Sequence, residues 1–471
     1  MEPSPEMRNS WLVAAAKLRP PEPSIIGLAL AISFSVSLGL RVLLPYEMVL
    51  GGDWVRFLGA DSWYHIRLLE NLVAHFPHRI VFDPYTFYPH GQLVFFGSFY
   101  DQLVGFIAWV LGGGSPSQQL THTVAAYIPP ALGALAVFPV YFLARALFNW
   151  QTGLIASALV AILPGELMYR TLLGFADHHA AEILFSTVVM LFFSLAVMSA
   201  NRRAISFHHL ARADWRRLAC PLIYSASAGI ALGLYLLAWT GGLLFVFIIF
   251  LYAVIQHIID HMRGASTDYL SIVGMPSFLL ALLFIFPSLN TGSIRSLHII
   301  TLVMGALSFP ALSGISRLMA SRGMPRQYYP ASVVALGVFG LTVLYSVNRF
   351  LFGWITGQLQ YVFVPQGGGH SSSRDEVAIR QPGWFLSRAG LGTVWRRLLP
   401  GSGGPGHAGL FHQPQLEGRT GTARYLESDH PGSGCLPAPV LPLLCHKCGS
   451  AHRICFMADA LLVALYGVPR P

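Results

Sequence analysis

The chain has 471 residues, of which 54% are hydrophobic and 11% are charged, and its mean hydropathy is +0.56. Soluble globular proteins average about 25% charged residues, so a soluble globular class is excluded and we expect an integral protein of the lipid bilayer. The net charge of +9 does not indicate a nucleic-acid partner, because much of the basic excess lies between apolar runs, where it reports membrane topology.

The N-terminal segment, residues 1–24, carries Arg8, Lys17 and Arg19 and precedes an apolar run over 25–44. That run has about the 20 residues that a membrane-spanning helix needs. No small-residue cleavage site of signal-peptide type follows it, so we predict a retained anchor behind a cytoplasmic N-terminus.

Apolar runs recur along the chain and predict an all-α, polytopic transmembrane helical bundle of about nine spans. The predicted spans are 25–44, 122–146, 152–170, 180–200, 219–238, 241–259, 269–288, 296–314 and 329–349. The small residues of Gly229-x3-Gly233 within one of them predict a close approach of two helices. Ionisable residues gather at the outer ends of the spans rather than inside them.

The loops between the spans predict the orientation. Loops 201–218 and 315–328 are rich in arginine, which places them on the cytoplasmic side. The segment Leu103 to Leu111 is too short to cross as a helix and is expected to be interfacial. Residues 45–121 then form one large external loop, and the motifs described next share the outer face.

The first motif is Gly59-Ala60-Asp61-Ser62-Trp63-Tyr64-His65, which leads into an aromatic-rich stretch predicted to be helical. Asp61 stands near the start of that helix, so a simple N-cap role is an open alternative to a functional one. The basic and imidazole groups elsewhere in the loop could touch a lipid phosphate, but a solvated or interfacial position is the preferred interpretation for them: His65, Arg67, Arg79 and His90.

The second motif is Gly174-Phe175-Ala176-Asp177-His178-His179, which opens an apolar helix. If the chain enters in an extended conformation, Asp177 and His179 point the same way and can face one cation. An oxygen ligand with an occasional imidazole suits Mg²⁺ or Mn²⁺, whereas zinc draws more often on Cys and further His. The alternative is that Asp177 only caps the helix, with both imidazoles at the headgroup level.

Together with the Tyr88-Pro89-His90-Gly91 turn, these two motifs resemble the paired acidic motifs of archaeal and bacterial oligosaccharyltransferase catalytic subunits. The resemblance covers roughly residues 20–365. It implies a membrane glycosyltransferase (GT-C) fold over 25–365, in the cell membrane of a prokaryote, with the active site on the external face.

The resemblance also implies an activity: inverting transfer of an oligosaccharide from a polyprenyl (dolichyl-type) phosphate or diphosphate to the Asn amide of an Asn-x-Ser/Thr acceptor protein. Carried over by motif, Asp61, Asp177 and His179 would hold a divalent metal, and Asp61 would also act in catalysis by facing the acceptor amide.

The last segment, residues 366–471, departs from this pattern because apolar spans stop and Gly, Pro, Arg and His dominate. It is either a naturally disordered segment or the product of a reading-frame disruption near His370, which its composition favours. The family's Trp-Trp-Asp acceptor motif is absent from the sequence, so the chain as written is expected to be a truncated copy with little or no transfer activity.

Two features of this tail stay outside the predicted site. The run Cys445-x2-Cys448-x3-His452-x2-Cys455 has zinc-ligand types, but its flanks lack a finger pattern. Glu376 lies near the place of the family's loop glutamate but does not match its motif.

Two other classes remain open. One is a different polyprenyl-phosphate-sugar-dependent glycosyltransferase of the same architecture, against which Asp177-x-His179 argues. The other is a non-catalytic transporter or scaffold, which predicts ionisable residues within spans and repeated halves.

Overall fold

The computed structural model describes residues 22–288 and 296–347, with residues 349, 352, 353, 356 and 357. The predicted N-terminal segment up to residue 21 and the tail 366–471 lie outside these residues. In the described part the chain is a bundle of α-helices with one two-stranded antiparallel hairpin, in which Phe82 pairs with Leu93.

The first half of the bundle contains α1 Pro23–Leu43, α2 Tyr46–Leu50, α3 Ala60–Ala74, β1 Phe82–Asp83, β2 Gln92–Leu93, α4 Ser98–Leu111, α5 Gln118–Leu135, α6 Val137–Leu147, α7 Trp150–Ile162 and α8 Glu166–Tyr169. The second half contains α9 His179–Arg202, α10 Phe207–Ala211, α11 Trp215–Ala238, α12 Leu243–Arg263, α13 Asp268–Ile285, α14 Ser296–Ser321 and α15 Tyr328–Val347.

Eight described helical segments are long and apolar enough to cross a bilayer, which confirms an all-α, multi-pass membrane protein. They are α1, α5 continued by α6, α9, α11, α12, α13, α14 and α15. Seven of the nine predicted spans each match one of these helices closely. The predicted span over 122–146 corresponds to α5 and α6 together.

The predicted span over 152–170 differs from the observed structure. Helix α7 has 13 residues, about 20 Å of helix against a hydrocarbon core of about 30 Å. Proline disfavours a helical conformation in the residue before it, and Leu163, before Pro164, is extended with ψ 119°. The chain turns there and continues as the four-residue helix α8.

The predicted external loop 45–121 is a folded subregion. It holds α2, α3, the hairpin and α4, and its buried side chains include Val49, Leu69 and Val104. The apolar segment ending at Leu111 belongs to α4, which at 14 residues is short of a full crossing, as the sequence predicted.

The main core lies between α9, α11, α13 and α14, where Val189, Leu232 and Phe278 are buried. Helix α11 approaches α13 closely at Gly229, where an added Cβ atom would lie 2.5 Å from the carbonyl oxygen of Ser277. An added Cβ atom at Gly233 would likewise lie 2.5 Å from the Cβ atom of Phe284. The predicted packing role of these glycines is confirmed.

The prediction that ionisable groups lie outside the spans is wrong for helix α12. His257 and His261 are buried in it and bond to the hydroxyls of Ser313 and Ser316 on α14, at 3.1 and 2.7 Å. Asp260 accepts a 2.7 Å hydrogen bond from Tyr269. Each group has a polar partner within the bundle, which is what makes such burial tolerable.

Candidate metal centre

The segment that leads to Asp177 is anchored by a buried arginine of the first span. Arg41 donates to the Thr171 hydroxyl at 2.9 Å and to the carbonyl oxygens of Val160 and Ala161 at 3.2 and 3.1 Å. Carbonyl groups in the last turn of a helix lack amide partners of their own. Arg41 therefore closes the end of α7 and fixes the start of the following segment.

Gly174 joins this segment to the first loop. Its amide donates to Ala126 at 3.1 Å, and its carbonyl accepts from the amide of Leu58 at 2.8 Å. Gly174 has φ +81°, and an added Cβ atom would lie 2.9 Å from the Val49 methyl groups and 3.1 Å from the Arg56 carbonyl oxygen. Only glycine fits, and this junction places the first motif beside the second.

We expect Gly174→Ala to lower the free energy of unfolding by about 2–4 kcal/mol, because it combines an unfavourable φ with overpacking. Gly113→Ala is the matched control: Gly113 also has positive φ, +59°, but nothing lies within 4 Å of its added Cβ. Tryptophan-fluorescence melting of the purified chain measures both. Equal losses in the two variants would show that the contact at Gly174 is not what matters.

Asp177 and His179 come together, although not through the extended conformation that the sequence predicted. His178 is helical, with φ −64° and ψ −16°, and α9 begins at His179. The Oδ2 atom of Asp177 lies 3.5 Å from Nε2 of His179. The predicted oxygen and nitrogen ligands therefore face each other at the start of a membrane helix.

Glu182 orients His179. Its Oε2 atom lies 2.8 Å from Nδ1 of His179, one helical turn earlier. An ionised carboxylate only accepts hydrogen bonds, so Nδ1 carries the proton and, in neutral imidazole, Nε2 presents a lone pair toward Asp177. A histidine held by a carboxylate in this way is the usual arrangement of a metal ligand.

The other oxygen of Asp177 is held by two imidazoles. Asp177 Oδ1 lies 3.2 Å from Nε2 of His65 and also contacts Nδ1 and the backbone amide of His178. Burial would raise the pKa of Asp177, but the hydrogen bonds from His178 and His65 outweigh it and hold this pKa well below its usual range. Burial lowers the pKa of His178. Asp177 is therefore an anion with its Oδ2 side directed toward His179.

Behind His65 stands a buried ion pair. Nδ1 of His65 lies 2.6 Å from Oδ1 of Asp101, whose Oδ2 atom lies 2.8 Å from Nη2 of Arg79. Arg79 and Asp101 are in ionic contact, but these atoms do not have the geometry of a hydrogen bond. Nη1 of Arg79 donates a hydrogen bond to the Phe96 carbonyl oxygen instead. Burial would lower the pKa of His65, but Asp101 and Asp177 raise it to about 9. At neutral pH the four side chains alternate in charge from Arg79 to Asp177.

The preferred sequence interpretation of His65 and Arg79 as solvated groups is wrong: their side chains are 1% and 7% exposed. Arg67 is half-exposed and pairs with Asp83 at 2.9 Å, and His90 is exposed, as expected. The sequence did contain an indication that His65 is buried, since His65 shares a helical face with Leu68, Leu69 and Leu72, which are buried.

Asp61 does not belong to the cluster formed by His65, Asp177, His178, His179 and Glu182. It lies in the first turn of α3, exposed, and the N-cap position belongs to Gly59. Gly59 itself is next to the second motif, because an added Cβ would lie 3.4 Å from the Phe175 ring. Within the described ranges, two groups of three side chains have ligand atoms close enough to share a metal, one with Asp177 and one with His179, and Asp61 belongs to neither: His65–Asp177–His178 and His178–His179–Glu182.

The donor chemistry fits a divalent cation. A carboxylate oxygen and an imidazole nitrogen face each other, a second carboxylate holds the imidazole, and His179 is partly accessible while Asp177 is buried. Oxygen with a single nitrogen is within the range of Mg²⁺ and Mn²⁺, and also of Zn²⁺. The arrangement supports a site for a divalent metal.

Comparison with known proteins identifies the family of this chain. The family model described as oligosaccharyl transferase STT3, N-terminal, matches residues 52–358. A dolichyl-monophosphooligosaccharide–protein glycotransferase, AglB, of Haloferax volcanii is 33% identical over 314 residues, which are 65% of this chain and 29% of that protein. Dolichyl-phosphooligosaccharide-protein glycotransferase 3 of Archaeoglobus fulgidus is 32% identical, over 66% of this chain and 36% of its own length.

Solved structures show the same fold. Archaeal oligosaccharyltransferase AglB from Archaeoglobus fulgidus, in complex with an inhibitory peptide and a dolichol-phosphate, has a TM-score of 0.65 at 30% identity, over 74% of this chain and 40% of that one. An Archaeoglobus fulgidus oligosaccharyltransferase complex with Zn and sulfate has a TM-score of 0.59 at 29% identity, over 71% and 42%. The predicted GT-C membrane fold is confirmed.

The chain spans about a third of the length of the curated relatives it matches. Its own matched region, however, contains both acidic motifs. This chain therefore belongs to the oligosaccharyl transferase STT3 family.

Proposed function

We propose that this chain carries the metal-binding half of an oligosaccharyltransferase, which moves an oligosaccharide from a polyprenyl or dolichyl phosphate or diphosphate to Asn of an Asn-x-Ser/Thr acceptor protein. The observation that carries the proposal is the facing pair of Asp177 and His179, 3.5 Å apart at the start of α9 in an STT3 fold. The relative's complex with a peptide and a dolichol-phosphate supports both partners.

The metal in this proposal is Mg²⁺ or Mn²⁺, held by Asp177 and His179, with Asp61 assigned as a further ligand by the family resemblance alone. When bound, such an ion acts as a Lewis acid that neutralises charge developing on the departing lipid phosphate. A related oligosaccharyltransferase forms a complex with Zn and sulfate, which supports the binding of a divalent ion.

The chain's own residues prepare this site. Glu182 fixes the His179 ring so that Nε2 faces Asp177, and His65 and His178 hold the other Asp177 oxygen. Fixed ligands need no reorganisation when a cation arrives. We assign to Asp61, which is exposed in the first turn of α3, the role that the family resemblance implies: it accepts hydrogen bonds from the acceptor amide and orients it for attack.

The orientation proposed from the loops requires residues 148–178, with the short helix α7, to return across the bilayer after α5 and α6, because His65 of the first loop contacts Asp177 at the start of α9. Between the basic segments after α9 and after α14 the chain crosses four times, through α11, α12, α13 and α14, so both segments lie on one side. We place that side in the cytoplasm by the positive-inside rule. Asp177, at the opposite end of α9, then lies on the external face.

A chimera tests the transfer step. Residues 1–357 replace the corresponding N-terminal part of the Archaeoglobus fulgidus relative, and transfer from a lipid-linked oligosaccharide to a fluorescent Asn-x-Thr peptide is followed by gel shift. We expect transfer that requires Mn²⁺ or Mg²⁺, is lost in the Asp177→Asn chimera and is kept in an Asp53→Asn chimera, since Asp53 is exposed and outside the cluster.

Two results would overturn the proposal: a chimera that folds and binds Mn²⁺ but transfers nothing, or transfer that persists after Asp177→Asn. Glycosylation of a peptide lacking the Ser/Thr position would instead refute the assigned acceptor.

A further inference from the structure

A cleft of about 890 Å³ opens among α6, α9 and α11, at the end of α9 away from the metal site. Its walls are apolar and include Phe142, Leu195, Phe192 and Tyr224, the last two stacked with ring centroids 6.4 Å apart. This volume lies within the range of about 300–1,000 Å³ that is usual for sites of small organic ligands.

Three guanidinium groups line the same cleft: those of Arg145, Arg202 and Arg203. All three residues are exposed. Arg203 donates one hydrogen bond, of 3.0 Å, to the carbonyl oxygen of Arg216. In the part of the chain that the structure describes, no carboxylate lies within 4 Å of any of the three. An apolar cleft thus ends in a cluster of positive charge that lacks an acidic partner.

The position of the cleft separates it from the metal site. Arg202 is the last residue of α9, and His179 is the first. A helix of 24 residues is about 36 Å long, so the two ends lie near opposite faces of a bilayer. A lipid phosphate bound at the arginines cannot reach Asp177.

We propose that this cleft binds an anionic membrane phospholipid, with its phosphate among Arg145, Arg202 and Arg203 and its acyl chains along the walls formed by Phe142, Leu195 and Tyr224. The charge of the mouth selects a negative headgroup, because basic pockets between helices on the cytoplasmic side attract anionic lipids. The apolar walls select a ligand with chains. The occupant is a resident lipid, distinct from the substrate carrier of the proposed function.

A simpler explanation of the arginines is topology alone, since they follow the positive-inside rule. That explanation predicts that any three cytoplasmic-side arginines contribute equally to lipid attraction. A built site predicts that charge at the mouth and room in the cleft are both required.

Native mass spectrometry of the full chain tests this, with phosphatidylglycerol and phosphatidylcholine as probes titrated into detergent-purified protein. We expect one phosphatidylglycerol to bind at least tenfold more tightly than phosphatidylcholine. The variant Arg145→Gln/Arg202→Gln/Arg203→Gln should lose about tenfold or more of that affinity.

The matched control is Arg212→Gln/Arg216→Gln/Arg322→Gln, which removes the same charge from exposed residues outside the cleft. It should change the affinity less than twofold. Leu195→Trp, which fills the cleft and keeps every arginine, should also abolish tight binding, whereas Ile155→Trp on the exposed face of α7 should not. Size-exclusion profiles show whether each variant folds.

The proposal is overturned if phosphatidylcholine binds as tightly, or if the control triple variant loses as much affinity as the cleft variant. Displacement of the bound lipid by millimolar glycerol 3-phosphate, which has no acyl chains, would show a free-phosphate site instead. None of these measurements uses transferase activity, so they stand or fall separately from the proposed function.

Discussion

Asp177→Asn is expected to lower the affinity of the purified chain for Mn²⁺ by about 100-fold or more, because it removes the anionic ligand that faces His179. Asparagine keeps the shape of the side chain and can still accept from His65 and His178, and His65 keeps Asp101 as its anionic partner, so the loss of stability should be smaller than in Asp101→Asn; a size-exclusion profile checks that the variant is folded. The measurement is a Mn²⁺ titration followed by electron paramagnetic resonance, in which free hexa-aqua Mn²⁺ gives the sharp signal.

Asp53→Asn is the control for this prediction, because Asp53 is an exposed acid of the same loop region and no contact places it in the cluster. Its Mn²⁺ affinity should equal that of the wild type. If Asp177→Asn and Asp53→Asn bind Mn²⁺ equally well, the metal does not sit at Asp177.

Asp101→Asn is expected to destabilise the chain by about 3–5 kcal/mol, the usual cost of removing one partner from a buried ion pair. Asp101 is fully buried between His65 and Arg79. Without its charge, Arg79 stays buried without an anion, and His65 loses the carboxylate that contributes most to its raised pKa. Thermal unfolding in detergent measures the change.

Asp214→Asn is the matched control for Asp101. Asp214 also pairs with an arginine, Arg217, at 3.5 Å, but the two side chains are 35% and 54% exposed. Exposed pairs contribute at most about 1 kcal/mol. A loss at Asp101 no larger than the loss at Asp214 would mean that the buried row of charges does not stabilise the site.

Length and apolarity were sufficient to predict most of the bundle. The runs over 25–44, 180–200 and 329–349 match α1, α9 and α15 to within a few residues, because a span of about 20 apolar residues has few alternatives in a bilayer. The run over 152–170 differed from these in its second half, where Pro164 and Gly165 are followed by the charged Glu166 and Arg170. A proline in a span is often tolerated as a kink, so Pro164 alone did not predict where the helix ends.

The residues of the candidate site were likewise predictable only in part. Asp177 and His179 are two residues apart, so a local motif predicted the pair, although through an extended conformation that the structure does not show at His178. Glu182 was within reach of the same reasoning, since residues three apart share a helix face. Asp101 was not: it meets His65 across 36 residues of chain, and nothing local in its apolar helix indicates that partner.

Asp61 shows the limit of the motif argument. The family resemblance of its motif assigns Asp61 to the metal. In the structure, Asp61 is exposed and belongs to neither of the two groups of ligand atoms. Its backbone neighbour Gly59 is nevertheless against Phe175. The assignment of Asp61 therefore remains a prediction, for which Asp61→Asn should weaken Mn²⁺ binding less than Asp177→Asn does.

The central claim is that a divalent cation is held by Asp177 and His179, and pulsed electron paramagnetic resonance of the Mn²⁺-loaded chain tests it most directly. Electron spin-echo envelope modulation should show coupling to one imidazole ¹⁴N nucleus in the wild type, and His179→Gln should abolish it. A nitrogen signal unchanged in His179→Gln, or its absence from the Mn²⁺-bound wild type, would contradict the account.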